Sequence, residues 1–127
     1  MTGEVRVRPA DVTDLPDVMN VLDGAALQAD AGRLRTAIDR GDVLVAVTAD
    51  GGRVLGALVL EGTEITAVAV RRRRRDQGIG SALVEAAADR RERLVAAFRP
   101  DVRPFWAALG FEIESTGESG RYRGVRE

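Results

Sequence analysis

The chain alternates between two hydrophobic rhythms, and the order of those rhythms sketches a mixed fold. Val5 and Val7 alternate with charged neighbours over Glu4 to Arg8, the pattern of a half-buried edge strand that Pro9 closes. Asp14, Pro16 and Asp17 then stand where a capping carboxylate, a first-turn proline and a first-turn acid belong, with Leu15, Val18, Met19 and Leu22 as an apolar stripe. They predict a helix to about Asp23. Leu34, Ala37 and Ile38 predict a second helix over Asp30 to Arg40, stopped by Gly41, and the joint after Gly24 is where a substrate-facing loop would lie. Val43 to Thr48, Arg53 to Leu60 and Glu64 to Val70 read as an antiparallel meander. Its connections are Ala49-Asp50-Gly51-Gly52, which favours the positive φ values of a tight hairpin, and Glu61-Gly62-Thr63. The long Val, Leu, Ala and Ile runs of the last two strands predict burial on both faces, and so helices on both sides of the sheet.

Helical spacing returns at Ile79, Leu83, Ala86 and Ala87, a helix to about Arg91, and Leu94 to Phe98 follows as a strand. Strand, helix and strand make a βαβ unit, whose right-handed crossover makes Glu64–Val70 and Leu94–Phe98 parallel. A short helix from Arg103 to Leu109, a strand from Phe111 to Ser115, a turn over Gly117 to Gly120 and a strand from Arg121 to Val125 complete the chain. The joint of the βαβ unit is the informative stretch. Five arginines, Arg71 to Arg75, lead to Gly78-Ile79-Gly80 at a helix N-terminus, where main-chain N–H groups lack intrahelical partners and the helix dipole favours an anion. Gly78 is free to take a positive φ, Gly80 lets an anion approach the main chain, and Arg75 adds a charge-assisted donor.

Composition narrows the chemistry. The 127 residues suit a single domain, and 45% apolar with 31% charged residues is ordinary for a soluble globular chain. A formal net charge of −1 leaves no overall cationic field, and no aromatic stacking platform accompanies the arginine run, so nucleic acid is not an expected partner. All 19 basic residues are arginine, and histidine and cysteine are absent. His-based triads, thiol nucleophiles, lysine Schiff bases, disulfides and zinc sites of the usual kind are thereby excluded, and no metal is expected. The sequence shows no signal peptide or membrane-length apolar run, so the expectation is a cytoplasmic protein without membrane contact.

Taken together, the motifs resemble the GNAT superfamily of N-acetyltransferases over nearly the whole chain. Val70 to Gly80, with Arg75, Gly78 and Gly80 in place, is similar to the Arg/Gln-x-x-Gly-x-Gly/Ala loop of that family. Phe105 to Phe111 resembles its aromatic-Tyr-x-x-Leu-Gly-Phe signature, and Val7 to Ala10 with Asp14 to Pro16 its N-terminal strand and helix. The resemblance implies one domain over residues 1–127. The fold it implies is α/β, with a mixed, mostly antiparallel sheet of six or seven strands, helices on both faces, and strands 4 and 5 parallel and splayed. It implies acetyl-CoA as co-substrate, with pantetheine along Val68, Ala69 and Val70, and the pyrophosphate held over Arg75, Asp76, Gln77, Gly78, Ile79, Gly80 and Ser81. Arg73 is a candidate for the 3′-phosphate. A primary amine, on a small molecule or a polypeptide, would attack the thioester directly. The domain would act as a monomer or a homodimer.

The proton-transfer groups follow less directly. Glu64 opens strand 4 in the register Glu64-Ile65-x-x-x-Ala69-Val70, where the histone-acetyltransferase branch of the family has its general base. It reads equally as a solvated carboxylate after a turn, and Glu61 is the fallback. Trp106 replaces the family's tyrosine, and an indole N–H donates a hydrogen bond without transferring a proton. Tyr122, the one tyrosine, and water are then the two candidates for protonating the CoA thiolate. Arg99 stands where many relatives have a cofactor-contacting asparagine. These departures motivate a second reading, an acyl-CoA-binding or regulatory module that keeps the fold without turnover.

Overall fold

The computed structural model describes residues 4–24, 30–50, 52–117 and 120–127. Seven strands, β1 (Val5–Pro9), β2 (Val43–Thr48), β3 (Val54–Glu61), β4 (Glu64–Val70), β5 (Leu94–Phe98), β6 (Glu112–Ser115) and β7 (Tyr122–Arg126), form one sheet in the order β1-β2-β3-β4-β5-β7-β6. Every neighbouring pair is antiparallel except β4 and β5, which run parallel around the crossover helix α3 (Ile79–Arg90). Helices α1 (Leu15–Gly24) and α2 (Ala31–Asp39) cover one face, and α3 with the short α4 (Arg103–Ala108) covers the other. Leu44, Leu58, Leu60, Leu83 and Trp106 belong to the α3 side of the core; Val18, Leu22, Ile38, Val45 and Ala57 belong to the α1–α2 side.

Three expectations change on contact with the structure. The helix cap lies one turn earlier than Asp14. Asp11 caps a 3-10 turn, Val12–Asp14, that runs directly into α1, and its carboxylate accepts from Thr13 N–H at 2.8 Å. Asp14 closes the box from the other side, accepting from Asp11 N–H at 2.9 Å while Arg8 grips it at 2.7 and 3.1 Å. The second correction is the burial of β4. Whereas β3 is buried from Val54 to Leu60, β4 leaves Thr66 exposed and Ala67, Val68 and Val70 half-buried, because its far edge separates from β5 and the faces there open onto cavities. The third is the end of α1, which takes in Gly24 where the pattern predicts a stop at about Asp23. The other boundaries shift by a residue or so. The predicted joint between the helices (25–29), the hairpin's Gly51 and part of the Gly117–Gly120 turn (118–119) lie outside the described residues.

The Arg8–Asp14 pair carries a pH signature. The hydrogen bond from Arg8 holds the Asp14 carboxyl below its ordinary range, against the opposing effect of burial. A depressed folded-state value means that the pair stabilises the fold above the unfolded pKa and loses that contribution as pH falls through the folded one. Asp14→Asn is expected to cost about 1–2 kcal/mol near neutrality, the size of a lost cap and a lost charge-assisted bond. The gap to wild type should narrow as the medium is taken from pH 5 towards pH 2, as read by urea unfolding. A gap independent of pH would show that the ionised carboxylate contributes nothing.

Candidate active site

The site begins where two parallel strands part. β4 and β5 pair only at Glu64 with Val95 and Ile65 with Ala96, fastened by Val95 N–H to Thr63 carbonyl at 2.9 Å. Beyond Ile65, β4 stays with β3 while β5 follows β7, and a cavity of about 830 Å³ opens between them. Ile65 to Val70 form one wall, Ala97 to Arg99 the other, and Phe105 and Trp106 of α4 also line it. Arg71 N–H bonds the Leu55 carbonyl, so by the alternation of an antiparallel ladder the main-chain groups of Ala69 turn to β3 and those of Val68 and Val70 to the cavity. An unpaired strand edge inside a cavity is a template for another extended chain.

At the mouth, the sequence's turn chemistry produces an anion-binding corner. Asp76 and Gly78 take positive φ values of 62° and 81°, and Gly78 caps α3 without any side-chain partner. The first intrahelical bond at this end is Ala82 N–H to Gly78 carbonyl, which leaves the N–H groups of Ile79, Gly80 and Ser81 without helical acceptors. Gly78 to Ser81 and Asp76 line the cavity; Gln77 does not, its amide donating back to the Arg73 carbonyl at 3.4 Å. A Cβ on Gly80 would lie 3.3 Å from the Phe105 ring, so that glycine also lets α3 rest on α4.

The five arginines divide by what they touch. Arg71 belongs to the scaffold, its Nε donating to the Val54 carbonyl at 2.7 Å. Arg75 is exposed at the cavity, its Nε bonding the Val70 carbonyl at 3.2 Å, which leaves the rest of its guanidinium fork to a ligand. Arg74 lines the same cavity with its Nε buried and lacking a hydrogen-bond partner. Arg72 and Arg73 lie outside the lining.

A β-bulge joins this cavity to a second one. The β3–β4 register skips between Val59, opposite Ala67, and Leu60, opposite Ile65, so Thr66 is the extra residue, its hydroxyl bonding the Val59 carbonyl at 3.3 Å. Bulges re-aim side chains and gather next to active sites. Thr66 and Ala67 border both the first cavity and another of about 720 Å³ on the α1–α2 side, whose walls include the α2 face, Asp42 and the end of β3 at Glu61. Glu61 lines that second cavity. Glu64, its strand partner across the turn, is exposed at the closed end of the β4–β5 split and lines neither cavity. Tyr122 packs beside the first cavity, its ring 6.4 Å from Phe98 and covered by the Arg103 guanidinium at 5.5 Å, while its neighbour Arg121 reaches the lining.

The family model of the acetyltransferase (GNAT) domain matches residues 39–113, more than half of the chain. The chain belongs to the GNAT acetyltransferase family. No curated protein sequence matches this GNAT domain. Solved structures share its fold: Rv2747 from Mycobacterium tuberculosis, in complex with CoA and NLQ, is 22% identical with a TM-score of 0.82, over 94% of this chain and 97% of that one. Naa50 from Arabidopsis thaliana, in complex with the bisubstrate analogue CoA-Ac-MVNAL, is 18% identical with a TM-score of 0.78, over 97% and 98%. A GCN5-related N-acetyltransferase from Kribbella flavida is 24% identical with a TM-score of 0.69 over 88% of this chain, which spans only 34% of that larger protein.

As a GNAT domain it is an acyltransferase, with the parallel, splayed β4–β5 pair that its motifs predict. Among the described residues no three His, Cys, Asp or Glu side chains gather to hold a metal ion, and no helix is long and apolar enough to cross a membrane. The sequence reading missed Thr66, Arg74 and Arg121. Nothing in composition marks a bulge, and within a run of five arginines position alone does not separate Arg74 from Arg73.

Proposed function

We propose that this domain transfers an acetyl group from acetyl-CoA to a primary amine, with donor and acceptor meeting across the β4 bulge. The observation that carries the reading is one cavity bounded by an unpaired strand edge and by open helix-end N–H groups, touching a second cavity at Thr66 and Ala67. Pantetheine lies along Val68 and Val70 as a surrogate strand, and the pyrophosphate sits on the N–H groups of Gly78 to Ser81 with Arg75 beside it. That solved relatives of the same fold hold CoA supports this use of the cleft.

The amine enters from the second cavity after losing its proton, and its nitrogen attacks the thioester carbonyl carbon. The carbon–sulfur bond then breaks and CoA leaves as thiolate. We assign the proton acceptor to the Glu61–Glu64 pair, with Glu61 the member that reaches the amine side. The nitrogen gives up its second proton to water as the amide forms and the thiolate takes one back from water, since Tyr122 lies outside the cavity lining and Trp106 is locked into packing. That same observation favours the runner-up, an acyl-CoA-binding module without turnover.

A CoA melting shift together with a thiol-release assay over an amine panel separates the two. Ligand at 100 times its dissociation constant raises stability by about 2.7 kcal/mol. Binding without thiol release on any amine would favour the module, and no shift with any acyl-CoA would refute both. Glu61→Gln is expected to lower kcat/KM by roughly 100-fold, most severely at low pH where the amine is protonated, with CoA affinity kept. Glu64→Gln should have the smaller effect; the reverse order would hand the role to Glu64.

A further inference from the structure

We infer that the acceptor amine carries a carboxylate, placing it among amino acids and not among polyamines or neutral amines. The inference rests on the proposed acetyl transfer and concerns the second cavity. Arg33, Thr36, Ala37 and Arg40 all line that cavity, and their i, i+3, i+4, i+7 spacing is one face of α2. Arg33 in the first turn and Arg40 at the C-cap therefore stand about 10 Å apart along the helix axis at their Cα atoms.

Charge accounting decides which ligand suits them. Three carboxylates border the cavity, Asp30, Asp42 and Glu61, but two are already engaged. Asp42 is held by Arg91 at 2.8 Å, and the same arginine also bonds the Gly62 carbonyl at 3.0 Å. Asp30 turns its Oδ1 onto the α2 N-terminus, accepting from Arg33 N–H at 3.1 Å. Neither the Arg33 nor the Arg40 side chain meets an acceptor among the described residues, and Glu61 has no partner among them. Two guanidiniums and one carboxylate without hydrogen-bond partners thus border the cavity, that carboxylate on the strand that pairs with the bulge, while Asp30 keeps its charge at the α2 N-terminus. One ammonium near Glu61 and one carboxylate in the Arg33–Arg40 field complete the pairing, the planar fork of arginine matching a carboxylate. A polyamine would bring a second positive charge towards two guanidiniums, where the carboxylate beside Arg33, Asp30, already caps α2.

The test compares thiol release from acetyl-CoA with L-alanine, L-aspartate, L-alaninamide, spermidine and O-phosphoethanolamine, in wild type and in Arg33→Gln and Arg40→Gln. The amino acids are expected to show kcat/KM about tenfold or more above alaninamide and spermidine, as charge-assisted bonds would give. Each substitution should shrink that ratio by a similar factor, which also removes the influence of the amine's own basicity. Alaninamide or spermidine matching the amino acids in wild type, or a ratio unmoved in both variants, overturns the inference while acetyl transfer stands. Phosphoethanolamine outperforming both amino acids overturns it in favour of a phosphate. If no amine releases thiol, the transfer reading fails on its own, and melting of the CoA-saturated protein decides the inference. A shift with L-alanine that exceeds the shift with L-alaninamide, and disappears in Arg33→Gln or Arg40→Gln, supports it; equal shifts reject it.

Discussion

Trp106→Ala is expected to cost about 3–5 kcal/mol of stability, the range for deleting a large buried aromatic side chain. Trp106 is 7% exposed and is the hub of an aromatic cluster drawn from three parts of the chain. It stacks on Phe98 of β5 at 5.5 Å between ring centroids, and meets Phe105 and Phe111 edge-on at 5.1 and 5.0 Å. Such contacts contribute about 0.5–1.5 kcal/mol each beyond buried area. The indole also forms part of the first cavity's wall, so the same substitution should weaken CoA binding. Trp106→Phe keeps a ring in the stack and is expected to retain most of the stability. Urea unfolding of the three proteins reads the difference; a loss below about 1 kcal/mol in the alanine variant would mean that the cluster collapses around the gap at little cost.

That packing explains both what the sequence discloses and what it conceals. The Phe105–Phe111 segment is legible because a proline at a helix start and a glycine at its end frame an aromatic pair, and Gly110 does take a φ of 84°. The parallel β4–β5 pair is legible because a strand, a helix and a strand in succession allow one handedness of crossover. Gly78 is legible because a positive φ at the start of α3 needs a residue without a Cβ. The exposure of β4 is not: Ala67, Val68 and Val70 have the composition of a doubly covered strand, and only the divergence of β5 leaves them half-open. The choice between Glu61 and Glu64 is hidden for the same reason. They face each other across a turn, and it takes the position of α2 and the bulge at Thr66 to decide which one borders a cavity. Asp11 is not distinguishable as the cap from sequence because two acids three residues apart each look like an N-cap, and the structure uses them as a reciprocal pair.

Gly56→Val is expected to be the most damaging substitution for CoA binding outside the cofactor loop. Gly56 lies in β3 opposite Val70, and a Cβ there would be 2.9 Å from the Ala69 carbonyl oxygen, 3.2 Å from Leu83 and 3.3 Å from Ile79. The first contact is with main chain, which has nowhere to go inside a paired strand; the other two are with the first turns of α3. Overpacking of this kind costs roughly 1–3 kcal/mol, and the strain is relieved by lifting α3 off the sheet or by pushing β4 towards the cleft. Either movement displaces Ile79 and the N–H groups beside it, or the Val68–Val70 edge. CoA affinity should therefore drop by about tenfold or more, because a misplaced helix end forfeits charge-assisted bonds to the pyrophosphate. Gly62→Ala is the matched control. Gly62 has a φ of 60° with nothing within 4 Å of an added Cβ, so its replacement strains a turn without touching α3. Calorimetric titration of both folded variants with CoA, below their melting temperatures, should show weakened binding for Gly56→Val and near wild-type binding for Gly62→Ala. Wild-type affinity in a folded Gly56→Val protein would mean that the seat of α3 is set by other contacts, such as the Glu85–Arg126 ion pair at 2.6 Å, and not by the absence of a side chain beneath its first turn.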